Sequence, residues 1–245
     1  MSSVSYKPSI FPFFIAPEVP KHVAIVLDGN RRYAKKLGLQ PWKGHEFGVK
    51  KLNELFKWCQ ELGIKELTLY SFSIENFKRP KQEIDFLFNL FKNEFNDLKN
   101  DKEIFKNKVR INVIGRIGMF PKDMRKSMLE IMKKTKNHEN LIVNFALAYG
   151  GRQEIVDSFK RILKNSPNIK PDKINENIIT KNLYLQSEPD LVIRPGGEIR
   201  TSNFLTWQGV YSEWIFVNKL WPEFTKQDLL NCIKEFNRRE RRFGE

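Results

Sequence analysis

Six short apolar runs punctuate the chain: Val23 to Leu27, Leu67 to Phe72, Val109 to Ile114, Leu141 to Ala148, Leu191 to Ile193 and Trp214 to Val217. Several are rich in Val and Ile, as strands buried on both faces should be. Between them the apolar period changes. Val49, Leu52, Phe56, Cys59 and Leu62 recur every three or four residues, as do Ile84, Leu87, Phe88, Phe91, Phe95 and Leu98. Met124, Met128 and Met132 keep the same spacing, a stripe read as core. Ile155, Phe159 and Ile162, then Leu229, Ile233 and Phe236, mark two later helices. Alternating strands and helices predict an α/β fold with a central, mostly parallel sheet of about six strands, flanked by helices.

The chain has 245 residues, enough for one sizeable core. No internal repeat or composition break divides it, so residues 22–245 are expected to form a single domain behind an arm of residues 1–21. The polar stretch Asn165 to Asn177 holds two prolines and reads as a surface connection. Asn96 to Lys108 either extends a helix or forms a loop. In the arm, Ile10 to Pro17 is apolar but broken by Pro12 and Pro17, and it lacks the start of a signal peptide. It is expected to pack as a docking arm or to make a peripheral membrane contact. No apolar run approaches the roughly 20 residues of a membrane span. Cys59 and Cys232 fall on apolar helical positions, which predicts core thiols rather than a disulfide or metal site, consistent with a reducing compartment.

The formal charge of +14 attracts polyanions: nucleic acid, anionic lipid surfaces or diphosphates. In an open parallel sheet, ligands collect outside the carboxyl ends of the strands. Polar residues recur there. The first run enters Asp28-Gly29-Asn30-Arg31-Arg32-Tyr33. Asp28 is a candidate Mg²⁺ ligand, Gly29 permits close backbone approach to a phosphate, and Arg32 is a candidate counter-charge, although Asp-Gly is also an ordinary turn. The second run ends in Ser71 to Pro80, which crowds Ser73, Glu75, Asn76 and Arg79 into one connection. Glu75 reads equally as a helix-start carboxylate and Arg79 as a surface charge. The fifth run enters Arg194-Pro195-Gly196-Gly197-Glu198-Ile199-Arg200-Thr201-Ser202-Asn203, two arginines around a glycine pair, suited to cradling an anion. His45 is read as a cap, a packing residue or a phosphate contact. No nucleotide-binding glycine motif is present.

In order along the chain, HVAIVLDGNRRYA, Gly44-His45, LTLYSFSIENFKRP, ALAYGGR, PDLVIRPGGEIRTSNFL, YSE, LWPEF and RRERRFG together resemble the cis-prenyltransferase family. That family includes undecaprenyl and dehydrodolichyl diphosphate synthases. The resemblance spans about His22 to Gly244. It implies repeated cis-condensation of isopentenyl diphosphate onto an allylic diphosphate (farnesyl or geranylgeranyl), with a hydrophobic tunnel for the product, Mg²⁺ as cofactor and a homodimer as assembly. It implies a cytoplasmic enzyme, peripheral at a membrane (the endoplasmic reticulum in a eukaryote), and no nucleic-acid partner.

Roles follow position by position. Asp28 matches the catalytic, Mg²⁺-linked aspartate and Glu213 the second Mg²⁺-associated carboxylate. Gly29, Asn30, Arg31, Arg32, Tyr33 and His45 match the allylic diphosphate pocket, with Arg79 nearby. Ser73, Ile74, Glu75, Asn76 and Phe77 match the segment near the reacting carbons, where Asn76 is the residue often named as proton acceptor. Arg194, Arg200, Thr201 and Ser202 match the isopentenyl diphosphate cradle. Arg242 and Gly244 match a tail that reaches the partner subunit's site. Three positions depart from the pattern. Pro41 stands where arginine is usual, with Lys43 as the candidate substitute, and Pro195 replaces threonine or serine. Arg31, glycine in typical bacterial members, resembles the eukaryotic or archaeal branch. Two other readings are a non-catalytic subunit of a heteromeric enzyme, which would lack the Asp28 loop, and a basic nucleic-acid binder. The latter would display aromatics with cations on an exposed surface, whereas these aromatics follow core periods.

Overall fold

The computed structural model of the protein describes residues 18–239. Its strands are β1 (His22–Val26), β2 (Glu66–Ser73), β3 (Val109–Ile114), β4 (Leu141–Tyr149), β5 (Leu191–Pro195) and β6 (Glu213–Val217). The helices are α1 (Asn30–Lys36), α2 (Gly44–Leu62), α3 (Lys81–Leu98), α4 (Lys102–Lys106), α5 (Lys122–Thr135), α6 (Gly151–Asn165), α7 (Glu176–Lys181) and α8 (Lys226–Arg238). All six strands form one sheet in the order β3-β4-β2-β1-β5-β6, and every pairing is parallel. Each apolar run thus becomes a strand, with bounds differing by at most two residues; β1 gains His22 and ends before Leu27. In the segment Asn96 to Lys108, expected either to extend a helix or to form a loop, α3 stops at Leu98 and a separate short helix, α4, follows after a turn. Asn165 to Asn177 is largely exposed, with one 3₁₀ turn at Pro171–Lys173.

Side chains alternate across the pleat, so the strands feed two cores. The larger joins Val23, Ile25, Leu67, Leu69, Ile111, Val143 and Ile193 to buried residues of α2, α3, α5 and α8. Met124 and Met128 lie there, fully covered, and both cysteines are buried and free. The smaller core, on the opposite face, stacks Tyr70, Tyr149 and Phe204 with Ala24, Val26 and Val192. Aromatic residues thus serve as packing.

Parallel pairing brings all six carboxyl ends to one edge. From β1 the chain moves to β2 and β4 on one side and to β5 and β6 on the other, so the topological switch lies beside β1. Two details shape the loop there. Gly29 has φ of +107°, open to glycine at little cost, and a Cβ on Gly44 would lie 1.8 Å from the Asn30 carbonyl oxygen. Buried Trp221 joins the pieces, its backbone N–H donating to the Asp28 carbonyl at 2.9 Å and its indole N–H to the Gly48 carbonyl at 3.0 Å.

Candidate active site

Asp28 leaves the end of β1 at the switch point. One carboxylate oxygen accepts from Arg194 at 2.8 Å and the other from Arg32 at 3.2 Å. Arg32 also donates to the Gly196 carbonyl at 2.7 Å, so the first and fifth strand ends are tied together. On one side of Asp28 is a pocket lined by Gly29, Asn30, Arg31, Arg32, Lys35, His45 and Arg79. Four cations and a glycine turn make it an anion site.

On the other side lies a larger cleft of about 600 Å³, lined by Asp28, Ser73, Glu75, Asn76, Arg79, Arg194, Arg200, Ser202 and Asn203, among others. Arg194 is only 4% exposed, yet its guanidinium faces this cleft, donating to Ser202 Oγ at 2.7 Å and to the Arg200 carbonyl. Arg200 is half exposed and paired with Glu198 at 2.7 Å. The backbone here is unusual: Ser202, Asn203 and Leu205 have φ of 50°, 63° and 46°. Tyr70 braces the loop, its hydroxyl donating to the Ser202 carbonyl at 3.2 Å and its ring stacking on Phe204 at 4.6 Å. Asn76 Oδ1 accepts the backbone N–H of Ser73 at 3.0 Å. That bond uses the amide oxygen and leaves Nδ2 as the available group, a donor rather than a base.

The wall between the pockets hides a carboxylate. Glu83, 1% exposed in the first turn of α3, lies 3.1 Å from Arg79, 3.6 Å from Arg31 and 3.9 Å from His45. The His45 ring and the Arg79 and Arg31 guanidiniums hold the Glu83 carboxyl below the usual carboxylate range. Burial pushes His45 below the ordinary imidazole value, against the pull of Glu83.

Behind both pockets begins an apolar cavity. Asn30, His45 and Ser71 form its polar end beside Leu27, and Val49, Leu52, Phe56, Leu90, Phe91, Phe95 and Leu98 continue it between α2 and α3. Its free volume is about 70 Å³.

A family model described as putative undecaprenyl diphosphate synthase matches residues 26–244. The chain belongs to this family. A tritrans,polycis-undecaprenyl-diphosphate synthase (geranylgeranyl-diphosphate specific) from Thermococcus kodakarensis is 49% identical over 230 residues, covering 92% of this chain and 87% of that protein. The crystal structure of lavandulyl diphosphate synthase from Lavandula x intermedia, in complex with dimethylallyl diphosphate, superposes with a TM-score of 0.87 at 32% identity, over 92% of this chain and 98% of that one. A probable undecaprenyl diphosphate synthase from Campylobacter jejuni gives 0.78 at 38% identity, over 93% and 100%.

As a member of this prenyltransferase family, the chain brings together most of the residues expected from its sequence, but not all. Tyr33 packs edge-on against Phe47 at 5.2 Å. Phe77 lies in an aromatic cluster with Phe72, Phe88 and Phe120, and Ile74 and Thr201 stand beside the cleft rather than in its wall. Lys43 pairs with Glu46 at 3.3 Å and lies over the Phe86 ring, outside the first pocket. Glu213 opens β6 opposite Leu191, which itself aligns with Val23. Asp28 lies five residues beyond Val23, roughly 17 Å along the strand direction at ~3.3 Å per residue. A single chain therefore does not assemble Asp28 and Glu213 into one metal site. Glu213 instead pairs with Arg239 at 2.8 Å. Arg242 and Gly244, like the segment Ile10 to Pro17, lie outside the described residues. Glu83, Lys35, Leu27 and Asn203 were not anticipated as site residues. Lys35 sits one helical turn beyond Arg31 on α1, a spacing that marks the two as neighbours once the helix is known, whereas Glu83 lies in α3 and Arg79 in the extended backbone before it.

Proposed function

We propose that this cis-prenyltransferase condenses isopentenyl diphosphate onto an allylic diphosphate, in repeated cycles, with the allylic diphosphate in the Arg31–Arg32–Lys35–Arg79 pocket. Isopentenyl diphosphate takes the Arg194–Arg200–Ser202 cleft. The observation that carries this reading is the meeting of two cationic pockets at Asp28, with an apolar cavity opening behind them. One pocket would serve a single diphosphate; two pockets sharing a carboxylate suit a two-substrate transfer.

As the allylic C–O bond breaks, negative charge grows on the departing diphosphate, where Arg31, Arg32 and Arg79 stabilise it. Arg194, fixed by three acceptors, orients the second diphosphate so that its double bond faces the allylic carbon. Asn76 Nδ2 is placed to donate to an anion rather than to take the proton released afterwards. Magnesium fits this donor set: Mg²⁺ is commonly held by one or two carboxylates plus substrate phosphates, and Asp28 supplies such a carboxylate at the pocket boundary. Bound there, it would neutralise diphosphate charge. The product tail follows the α2–α3 cavity, whose walls must part to receive it.

A geranylgeranyl starter is favoured by the specificity named for the Thermococcus kodakarensis relative. A homodimer is favoured by two features. The α6 residues Val156, Phe159 and Leu163 present an exposed apolar stripe, and Arg239 is held by Glu213 and Trp214 at the opposite sheet edge from Asp28. Among the described residues no helix is long and apolar enough to cross a membrane.

Incubating the pure protein with Mg²⁺, geranylgeranyl or farnesyl diphosphate and labelled isopentenyl diphosphate tests the activity. Lipid-extractable label with a ladder of five-carbon increments is expected. No label with either starter would refute the proposal and favour a non-catalytic subunit.

A further inference from the structure

Lys43 does not reach the allylic pocket, being paired to Glu46 and laid over Phe86. A buried carboxylate instead gathers the cations that line it. Glu83 is a carboxylate with 1% exposure, and it lies against basic groups from three segments: Arg31 of α1, His45 of α2 and Arg79 in the connection before α3. Left alone, Arg79 and Arg31 would repel each other across a narrow pocket, and Arg79, partly buried, would gain by swinging out to water. A buried carboxylate between them removes that repulsion and fixes both guanidiniums. It does so from behind: the wall of the anion pocket includes Arg31, Arg79 and His45 but not Glu83. The substrate therefore meets the cations and not the carboxylate.

We infer that Glu83 is a positioning residue of the allylic pocket, holding Arg31 and Arg79 where their guanidiniums meet the diphosphate. This rests on assigning that pocket to the allylic diphosphate. Neither Arg31 nor Arg79 has another carboxylate partner within 4 Å among the described residues.

The test measures binding of geranylgeranyl diphosphate, and separately of inorganic diphosphate, in the absence of isopentenyl diphosphate. Glu83→Gln and Arg31→Ala should each weaken starter binding about tenfold, and the double variant by little more, since both remove one coupled contact. Lys43→Ala should stay within about twofold. In turnover, Glu83→Gln should raise KM for the starter well above any rise for isopentenyl diphosphate. By NMR, the His45 pKa should fall further, because the negative charge that raises it is gone. A role confined to stability would lower the melting temperature and leave the KM ratio and the double-variant coupling at their neutral values. If Glu83→Gln does not fold, Glu83→Asp keeps the charge but withdraws it by one carbon, and the same ratio is read. Unchanged binding in a folded Glu83 variant, or full additivity with Arg31→Ala, overturns the inference. Wild-type protein that binds neither ligand overturns the pocket assignment instead.

Discussion

Replacing Asp28 by alanine should damage both the reaction and the fold, in separable ways. From sequence alone, a solvent-facing loop carboxylate contributes little packing, and its loss should leave the fold intact. The structure gives Asp28 a second duty, because it is the only carboxylate paired to Arg194 among the described residues. Arg194 is 4% exposed and would keep two neutral acceptors, the Arg200 carbonyl and Ser202 Oγ. A hydrogen bond to a charged group contributes about 1.5–3 kcal/mol, and Asp28 is partly exposed, so ~2 kcal/mol is a fair magnitude. For a chain of this size that corresponds to a fall of roughly 4–8 °C in melting temperature. Turnover should fall on the order of a thousandfold through loss of leaving-group stabilisation. The same geometry makes a further demand. Without Asp28, Arg32 and Arg194 face each other with no intervening anion, so inorganic diphosphate without Mg²⁺ should bind the variant more tightly than the wild type. It should also restore most of the lost melting temperature. Calorimetric titration and thermal melts with and without diphosphate measure both. An unshifted melting temperature together with weaker diphosphate binding would show that Asp28 does not neutralise this cradle.

Arg200→Ala should raise KM for isopentenyl diphosphate about tenfold or more and leave KM for the starter nearly constant, since Arg200 lines one pocket only; equal effects would contradict the two-pocket assignment. Stability should decline as pH falls from about 6.5 towards 5. Burial lowers the pKa of His22 and of His45, so the unfolded chain binds more protons over that window. Thermal melts across that range should show the slope, and His22→Gln should flatten it if His22, bonded to Thr68 at 2.8 Å, carries part of the effect. Deleting Arg242 to Glu245 should reduce turnover strongly while leaving the melting temperature within about 2 °C. Mixing that truncation with Asp28→Ala protein should recover activity, because one hybrid site would hold an intact loop and an intact tail. An unaffected truncation would rule out tail exchange.

The strands were legible because β-branched runs bounded by polar turns leave few alternatives, and their alternation with helices implied the parallel sheet. The three basic strand ends were legible for the same reason, since parallel pairing sends them to one edge. Two aspects were hidden. Glu213 precedes its apolar run and Asp28 follows one, but the distance between them depends on register across the sheet, which no local segment reveals. Partnerships between helices depend on packing, so nothing in the sequence singles out Glu83, and Lys43 read as a candidate cation for the pocket. Only the crossing of α1, α2 and α3 decides which of them reaches the pocket. Phe72 and Phe77 illustrate the same limit, since aromatics beside reactive residues in sequence face the core in space.

The loop from Ser202 to Leu205 holds three non-glycine residues in left-handed backbone, each at a cost on the order of 1 kcal/mol. The Tyr70 brace and the Arg194 bonds offset that cost before any substrate arrives. The cradle is therefore a sprung part, set during folding, and on the proposed assignment isopentenyl diphosphate need not spend binding energy on arranging it. Under that assignment each cycle of elongation presents the same small diphosphate to this cleft while the other substrate grows by five carbons. A rigid receptor for the constant partner and a yielding one for the changing partner divide the labour along the line of β1. Glycine at 202 would relieve the backbone there but also remove the hydroxyl that accepts from Arg194, loosening the pocket proposed for the partner that never changes.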